Sequence, residues 1–319
     1  MPLLEIRDLT VSFPQSDGIV QAVRGASFTV NPGESVGIVG ESGSGKSVTC
    51  MAALRLLREP PARITATRLM LDGTDMLKAS RRDLADMRGR VAAMVFQDPM
   101  TAFDPVYTIG HQIAETIMSH RSLAKRAALS EARDLLARVE IRNPDAVVAS
   151  YPHQLSGGML QRAMIAMALS CQPKLLIADE PTTALDVTVQ AQILQLIKGL
   201  QAEFHMGLVM VTHDLGVIAE TVDRVVVMYG GRVMEEGPVE AIFDAPRHPY
   251  TAALMASIPG QQPGRRRLTE IAGQSPNPAD PPPGCPFHPR CARATDPCAT
   301  TAPALAAKGQ GAHACWNPA

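Results

Sequence analysis

The octet Gly40-Glu41-Ser42-Gly43-Ser44-Gly45-Lys46-Ser47 directly follows a short apolar run at residues 35–39. This order places a phosphate-binding loop, or P-loop, between a buried strand and a helix. The glycines allow backbone angles that are closed to other residues, so consecutive N–H groups can turn inward around phosphate oxygens. The helix that follows points its positive N-terminal end at the same anion. The octet therefore predicts that the chain binds a nucleoside triphosphate.

Two side chains of the P-loop have specific expected roles. Lys46 would reach the β- and γ-phosphates, and the Ser47 hydroxyl would complete the coordination shell of a Mg²⁺ ion. Mg²⁺ is therefore an expected cofactor. The residues predicted to contact the nucleotide here are Gly40, Glu41, Ser42, Gly43, Ser44, Gly45, Lys46, Ser47 and Val48.

The composition argues against several classes of protein. The chain has 319 residues and a net charge of −1, so no overall positive field points to nucleic acid or to an anionic membrane. No apolar stretch is long enough to cross a bilayer, and the N-terminus lacks a signal-peptide pattern. The basic run Arg265-Arg266-Arg267 is interpreted as a solvated linker. We expect a soluble, cytosolic chain, in which clustered cysteines need an explanation other than disulfides.

The order of strand-like and helix-like segments predicts the fold. Strands alternate with helices, which indicates a mostly parallel α/β sheet. Together with the P-loop, this pattern resembles the P-loop NTPases, for which a RecA-like sheet is expected. An antiparallel β part is expected at residues 4–30, a helix at 48–57, and an inserted helical subdomain at about 98–160. The ATPase domain would span 1–258. Residues 259–319 would form a proline- and cysteine-rich extension, in which the prolines at 276–289 exclude regular structure.

Polar side chains at predicted strand ends supply the chemistry that phosphoryl transfer to water needs. Asp179 ends a buried strand and is placed to hold Mg²⁺ through its water shell. Glu180 is the next residue and can polarise the attacking water. His213, which ends a neighbouring strand, would hydrogen-bond the γ-phosphate, and Gln97 would touch both the metal and the water. Each residue alone is an ordinary structural feature, but their ordered set predicts ATP-hydrolysis chemistry.

Five further segments, in this order, resemble the ATP-binding subunits of ABC transporters. The resemblance runs from about residue 4 to residue 257, and one departure is Met159, where the signature motif usually has glutamine. This replacement is common in the peptide-importer branch. The segments are the Q-loop Gln97, the signature Leu155-Ser156-Gly157-Gly158-Met159, the Walker B strand 174–180, the D-loop Ala184-Leu185-Asp186 and the switch His213.

The resemblance implies partners as well as activity. The Ser156 helix tip would cap the γ-phosphate of an ATP bound by a second ATPase subunit, identical or homologous. Two integral membrane permease subunits would contact residues 97–110, and an extracytoplasmic solute-binding protein would act indirectly. The chain would lie peripherally on the cytoplasmic face of the cell membrane. Phe13 would either stack on adenine, as in the family, or simply pack at a strand edge.

The C-terminal part resembles one branch of that family. Residues 246–251 (PRHPYT) and 284–291 (GCPFHPRC) are similar to the extension of dipeptide and oligopeptide importer ATPases. This resemblance predicts that ATP hydrolysis energises peptide import. The same branch also transports nickel or glutathione, and a sugar is a further alternative solute. A non-transport ABC ATPase acting on nucleic acid is the rival from another class.

Four of the six cysteines lie in this extension, as Cys285, Cys291, Cys298 and Cys315. Their spacings are C-x5-C, C-x6-C and C-x16-C, without the tight C-x2-C knuckles of structural zinc sites. Four thiolates suit a [4Fe–4S] cluster, and the branch that the chain resembles includes members with such a cluster. Zinc stays open as an alternative, because His288 and His313 offer further ligands, and unligated thiols are the third possibility.

Overall fold

The structure is a computed structural model that describes residues 1–16, 18–183, 185–258 and 271–319. Its residues form two compact units. The P-loop unit comprises Pro2–Val30, Ser35–Leu77 and Met210–Ala319, and the helical unit comprises Met1, Asn31–Glu34 and Lys78–Val209. The predicted domain boundary near residue 259 and the basic run at 265–267 lie outside the described residues, and both stay predictions.

The strands are β1 (Leu4–Gln15), β2 (Gly18–Val30), β3 (Ser35–Val39), β4 (Arg63–Thr65), β5 (Arg68–Leu71), β6 (Thr74–Asp75), β7 (Ala92–Val95), β8 (Leu175–Asp179), β9 (Gly207–Val211), β10 (Arg224–Tyr229), β11 (Arg232–Pro238), β12 (Ala306–Lys308) and β13 (Gly311–His313). The helices are α1 (Lys46–Ala53), α2 (Arg81–Arg90), α3 (Pro99–Ala102), α4 (Ile109–His120), α5 (Lys125–Arg138), α6 (Pro144–Ala149), α7 (Gly157–Leu169), α8 (Val187–Phe204), α9 (Leu215–Thr221), α10 (Val239–Asp244), α11 (Pro249–Ala256) and α12 (Asp296–Thr300).

The P-loop unit contains the predicted antiparallel β part. Strand β1 pairs antiparallel with β2, β4 and β5, and β5 pairs with β6. Leu4, Ile6, Leu9 and Val11 of β1 are buried almost completely. A register shift between Ile6 and Leu9 keeps them on the inner face, because a bulge resets the alternation of side chains. This N-terminal sheet is therefore as the sequence pattern indicates.

A second sheet of the P-loop unit positions the phosphate-binding loop. Its strands lie in the order β12-β13-β11-β10-β3. Strand β3 pairs parallel with β10, and all five of its residues are buried. An uninterrupted apolar strand of this kind is typical of a parallel sheet that is covered on both faces. The P-loop leaves the carboxyl end of this rigid, central strand.

The start of β3 is fixed by a group of hydrogen bonds with Asp223. The Asp223 carboxylate accepts the Ser35 N–H at 2.9 Å and the Ser35 hydroxyl at 2.5 Å. The Asp223 N–H donates to Ser35 Oγ at 2.9 Å. Since Ser35 is buried, these bonds satisfy polar groups that water does not reach.

The helical unit contains several helices between two paired strands, and the predicted subdomain bounds of about 98–160 stay a prediction. Strand β7 pairs parallel with β8, with Ala92 opposite Leu175. Helices α4 to α7 lie between these strands in the chain and present apolar faces at helical spacing. Their buried residues include Ile109, Ile113 and Ile117 on α4, Ala128, Ala132, Leu135 and Leu136 on α5, and Leu160, Ala163 and Met164 on α7.

Two expectations about secondary structure were wrong in part. The helix after the P-loop ends at Ala53 rather than at residue 57, because Arg55 takes a left-handed backbone conformation (φ 53°) that a helix does not accept. The C-terminal extension is not irregular throughout. After the proline-rich stretch it forms a 3₁₀ turn at His288–Arg290, then α12, β12 and β13.

Strand β13 attaches the extension to the second sheet. It pairs antiparallel with the outer side of β11, with His313 opposite Glu235. Residues 304–316 contain no proline, so their N–H groups can join a ladder. The sequence analysis did not predict this pairing, because it judged the extension by the prolines at 276–289. Among the described residues no helix combines the length and hydropathy needed to span a bilayer.

We expect the Asp223→Ala variant to lower the free energy of unfolding by about 2–4 kcal/mol, because it leaves buried Ser35 donors without an acceptor. Chemical denaturation monitored by circular dichroism measures this change. The control is Asp145→Ala, which removes an exposed ion pair with Arg133 and should cost at most about 1 kcal/mol. Equal stability losses in the two variants would contradict the assigned role of Asp223.

Candidate nucleotide-binding and hydrolysis site

The backbone of the P-loop passes very close to neighbouring main chain. Gly40 has φ 150° and Gly45 has φ 96°. A Cβ atom at Gly40 would lie 2.1 Å from the Met228 carbonyl oxygen, and one at Gly45 would lie 2.5 Å from the Ala22 carbonyl oxygen. Both contacts are far too short for any side chain. The two glycines are therefore required by packing as well as by conformation.

Polar groups inside the loop are prepared for an anion. Lys46 is buried, and its Nζ donates to the carbonyl oxygens of Gly40 at 2.8 Å and Glu41 at 3.0 Å. The Ser44 hydroxyl is buried and has no hydrogen-bond partner among the described residues. A phosphate oxygen would satisfy this group, since buried polar atoms rarely stay unpaired. Ser42 and Gly43 form the exposed rim of the loop.

In the helical unit, the structure brings Gln97 and Glu180 into contact. Gln97 follows β7 and Glu180 follows β8, so both lie at the carboxyl edge of one parallel strand pair. Gln97 Nε2 donates to Glu180 Oε2 at 2.9 Å, and Thr183 Oγ1 donates to the same oxygen at 3.0 Å. Asp179 is the last residue of β8 and is buried. The carboxylate of Glu180 is therefore held in one orientation by two neighbours.

The backbone of Glu180 adds a second observation. Its φ is 45°, in the left-handed region that non-glycine residues seldom occupy. Such conformations are concentrated at functional sites, where the surrounding structure enforces them. Asp179 is buried at the end of β8, whereas Glu180 is only partly buried. Two adjacent carboxylates can thus serve different tasks.

The signature segment lies at the start of α7 in the same unit. Ser156 is the N-cap residue, and its Oγ accepts the Met159 N–H at 3.4 Å. Leu155 precedes the cap, and Met159 is 36% exposed. Gly158 lies close to α8, where an added Cβ would be 3.0 Å from Val189. The first turn of α7 is therefore an exposed helix N-terminus, which is suited to an anion.

The remaining predicted residues are divided between the two units. Asp186 caps α8 by accepting the Val189 N–H at 3.0 Å, while Ala184 of the same segment lies outside the described residues. In the P-loop unit, Phe13 is half-buried in β1 opposite Val20, which leaves both interpretations of this ring open. His213 is exposed and follows Thr212, whose N–H donates to Ile38 O of β3 at 3.3 Å.

A set of contacts around Glu41 was missed by the sequence analysis. The Glu41 N–H donates to the Tyr250 hydroxyl at 2.9 Å, and the Glu41 carboxylate pairs with Arg290 at 2.8 Å. Ser275 also donates its hydroxyl to this carboxylate. Tyr250 was part of the segment that suggested the family branch, but nothing in the pattern pointed from Arg290 to a residue 249 positions earlier.

The four cysteines of the extension, Cys285, Cys291, Cys298 and Cys315, line one pocket together with His248 and His288. They are free thiols, and burial raises the pKa of Cys285 to about 11. No set of three or more His, Cys, Asp or Glu side chains in the described ranges is placed closely enough to hold a metal ion. The described residues therefore show no preformed metal site, and the predicted cluster stays a proposal. His313 lines a different cavity.

A glycine-rich loop between a buried strand and a helix, with paired carboxylates at a strand end, defines a P-loop ATPase. The comparisons with known proteins make this assignment specific. A family model described as ABC transporter matches residues 23–183, and a model described as oligopeptide/dipeptide transporter, C-terminal region, matches residues 234–298. The chain belongs to the ABC transporter family and is an ATP-hydrolysing transporter subunit of that family.

Similar proteins extend along nearly the whole chain. A probable peptide ABC transporter ATP-binding protein of Sinorhizobium fredii is 48% identical and covers 99% of this chain and 95% of its own. The dipeptide transport ATP-binding protein DppD of Escherichia coli is 48% identical and covers 96% of this chain and 93% of its own. The oligopeptide transport ATP-binding protein OppD of Bacillus subtilis is 48% identical over 89% of this chain and 80% of its own.

Solved structures share the fold. The ATP-binding cassette MJ0796, a dimer bound to ADP and Pi in a post-hydrolysis state, has a TM-score of 0.65 and 27% identity, and covers 74% of this chain and 98% of that chain. The cbiO1 protein of Clostridium perfringens has a TM-score of 0.64 and 26% identity, and the match covers 76% of this chain and 91% of that chain. The predicted P-loop NTPase fold is thereby confirmed.

We propose that Glu180 polarises the attacking water, and we expect Glu180→Gln to bind ATP but to lower kcat by at least about a hundredfold. An amide keeps the shape and the contacts of the side chain but is a very weak base. Nucleotide-binding titrations and phosphate release measure the two effects. Glu203→Gln on the exposed side of α8 is the control and should turn over normally. Near-normal hydrolysis by the Glu180 variant would exclude the assigned role.

Proposed function

We propose that the chain energises the import of dipeptides or oligopeptides through separate permease subunits. The observation that carries this proposal is the C-terminal match at residues 234–298 to the oligopeptide/dipeptide transporter region. Full-length relatives with dipeptide or oligopeptide transport in their names support it. Recognition of the solute would reside in the partner chains, because the described residues assign this chain to ATP chemistry.

The roles proposed within the ATP site rest on the sequence motifs and are supported by contacts within each unit. Lys46 and the P-loop amides would bind the β- and γ-phosphates, and Ser47 and Asp179 would hold a Mg²⁺ ion, which would neutralise charge on the phosphates. Glu180, oriented by Gln97 and Thr183, takes up a proton from the attacking water. His213 donates a hydrogen bond to the γ-phosphate. These contributions are mainly electrostatic and positional, as phosphoryl transfer requires.

The chain is proposed to work as one half of a pair. Its sequence has one P-loop and one signature. The Ser156 tip of α7 would therefore cap the ATP bound by a second ATPase subunit, and the signature of that subunit would cap the ATP bound by this chain. The dimeric form of MJ0796 supports this arrangement. Two integral membrane permease subunits would receive the pair at the cytoplasmic face, and an extracytoplasmic solute-binding protein would deliver the solute to them.

Disruption of the gene should abolish uptake of radiolabelled di- and oligopeptides, and the wild-type chain should restore it while Glu180→Gln should not. Uptake of a free amino acid is the control for general energy metabolism. Loss of nickel, glutathione or sugar uptake with intact peptide uptake would replace the solute but keep the transport role. ATP hydrolysis stimulated by DNA, with all uptake intact, would overturn the proposal in favour of a nucleic-acid function.

We also propose that Cys285, Cys291, Cys298 and Cys315 hold a [4Fe–4S] cluster, which would crosslink the extension. Their position around one pocket supports this, as does an unpaired donor beside them. The Nδ1 atom of His248 accepts the Tyr250 N–H, and burial lowers the His248 pKa to about 3, so the neutral ring carries its proton on Nε2. This Nε2 has no partner among the described residues, and a sulfur acceptor would satisfy it.

Protein purified without oxygen should be brown, with broad visible absorption and about four iron atoms and four sulfides per chain. Cys298→Ser should remove most of the colour, whereas Cys171→Ser, which changes a thiol outside this pocket, should not. A colourless protein with one equivalent of zinc would establish the alternative metal. A colourless protein without bound metal, purified under the same conditions, would leave the cysteines as free thiols and refute both.

A further inference from the structure

The second residue of the P-loop is neutralised by the C-terminal extension. Arg290 Nη1 donates to both carboxylate oxygens of Glu41, at 2.8 and 3.1 Å, and Ser275 donates its hydroxyl to the same group. The side chain of Arg290 is 7% exposed, and that of Glu41 is 23% exposed. This ion pair is screened by solvent much less than a surface pair. It belongs to the P-loop unit alone.

Arg290 is fixed firmly in its own position. Its Nη1 also donates to the Tyr229 hydroxyl at 2.9 Å, its Nε to Ala272 O at 2.8 Å, and its Nη2 to Ile271 O at 2.9 Å. The guanidinium lies 6.0 Å from the centre of the Phe287 ring. Such a guanidinium keeps its charge and its direction, because every movement would break several hydrogen bonds.

The main chain of the same P-loop residue is held from another side. Glu41 N–H donates to the Tyr250 hydroxyl, and Tyr250 is fully buried. Burial raises the pKa of Tyr250, so the hydroxyl stays neutral and available as an acceptor. Two parts of the chain that follow β11 thus hold the loop at Glu41, one through its backbone and one through its charge.

Electrostatics gives this contact a consequence for nucleotide binding. A carboxylate within the loop that receives a polyphosphate would repel it, because like charges at short range in a partly buried site interact strongly. Arg290 would cancel that repulsion, and its hydrogen bonds hold the Glu41 carboxylate in place. Without Arg290 the loop would keep one uncompensated negative charge at its mouth.

We propose that Arg290 is a positioning residue for ATP binding, which acts by neutralising and orienting Glu41. The C-terminal extension then sets the nucleotide affinity of the P-loop. This inference goes beyond the transport role and does not depend on the solute or on a metal cluster. It requires only that the P-loop binds ATP.

The test compares Mg–ATP binding and steady-state hydrolysis in the full chain carrying Arg290→Gln, Glu41→Gln or both substitutions. We expect Arg290→Gln to weaken ATP binding and to raise KM by about tenfold, with kcat changed by less than about threefold. Adding Glu41→Gln should recover most of the affinity, because the uncompensated charge is then absent. Glu41→Gln alone should bind ATP more tightly than wild type. A double-mutant cycle on the ATP-binding free energies gives the coupling between Arg290 and Glu41.

Matched controls separate charge from folding. Arg133→Gln on α5 removes an equal charge from an exposed ion pair with Asp145 and should leave ATP affinity unchanged. The defect of Arg290→Gln should diminish as ionic strength rises, which a purely structural defect would not do. Thermal unfolding shows whether each variant is folded. If Arg290→Gln does not fold, Glu41→Gln alone still decides, because weaker ATP binding by that variant would refute the proposal.

Two further results would overturn the inference. One is an unchanged KM in a folded Arg290→Gln variant. The other is an equal loss of affinity with and without Glu41→Gln, which would mean that Arg290 only supports the extension. Both are distinguishable from a failure of the proposed transport function, since that failure would appear as altered solute uptake with normal ATP binding.

Discussion

The close approach of main chain to main chain around the P-loop is the constraint on which the site depends. Residues Gly40 and Gly45 lie against the carbonyl oxygens of Met228 and Ala22 with no room for a side chain. Because β3 is buried along its full length and locked at its start by Asp223, it cannot shift to relieve such contacts. The loop is thus shaped before any nucleotide arrives, which lowers the conformational cost of binding.

The division of labour between the units follows from the order of elements along the chain. In the P-loop unit, the loop proposed to bind phosphate follows the end of β3. In the helical unit, the proposed carboxylates follow the end of β8, and the signature segment lies at the start of α7. Helices α3 to α7 lie between β7 and β8 in the chain, so Gln97 and Glu180 are distant in sequence. The parallel pairing of β7 with β8 nevertheless brings their side chains within hydrogen-bond distance. Parallel strands need a long crossover connection, and here that connection contains the helices.

Much of this was visible in the sequence because it rests on local signals. Buried strands such as β3 and β8 are continuous apolar runs, and the residues after them are polar, so both the strands and the candidate residues can be located. The boundary of α1 was misplaced, since nothing local announces the left-handed turn at Arg55. The ion pair between Glu41 and Arg290 could not be foreseen, because pairing of surface-type residues over such a separation depends on tertiary packing alone.

The docking of β13 has a consequence for the sheet itself. Strand β11 would otherwise present its outer row of N–H and C=O groups to solvent at residues 235–236. Gly311 permits the approach, because a Cβ there would lie 2.3 Å from the Glu236 carbonyl oxygen. Open edges of this kind recruit foreign strands and promote aggregation. The terminal segment therefore covers this edge of β11. Shortened forms of the chain that end before β12 would expose the edge and would be more prone to self-association.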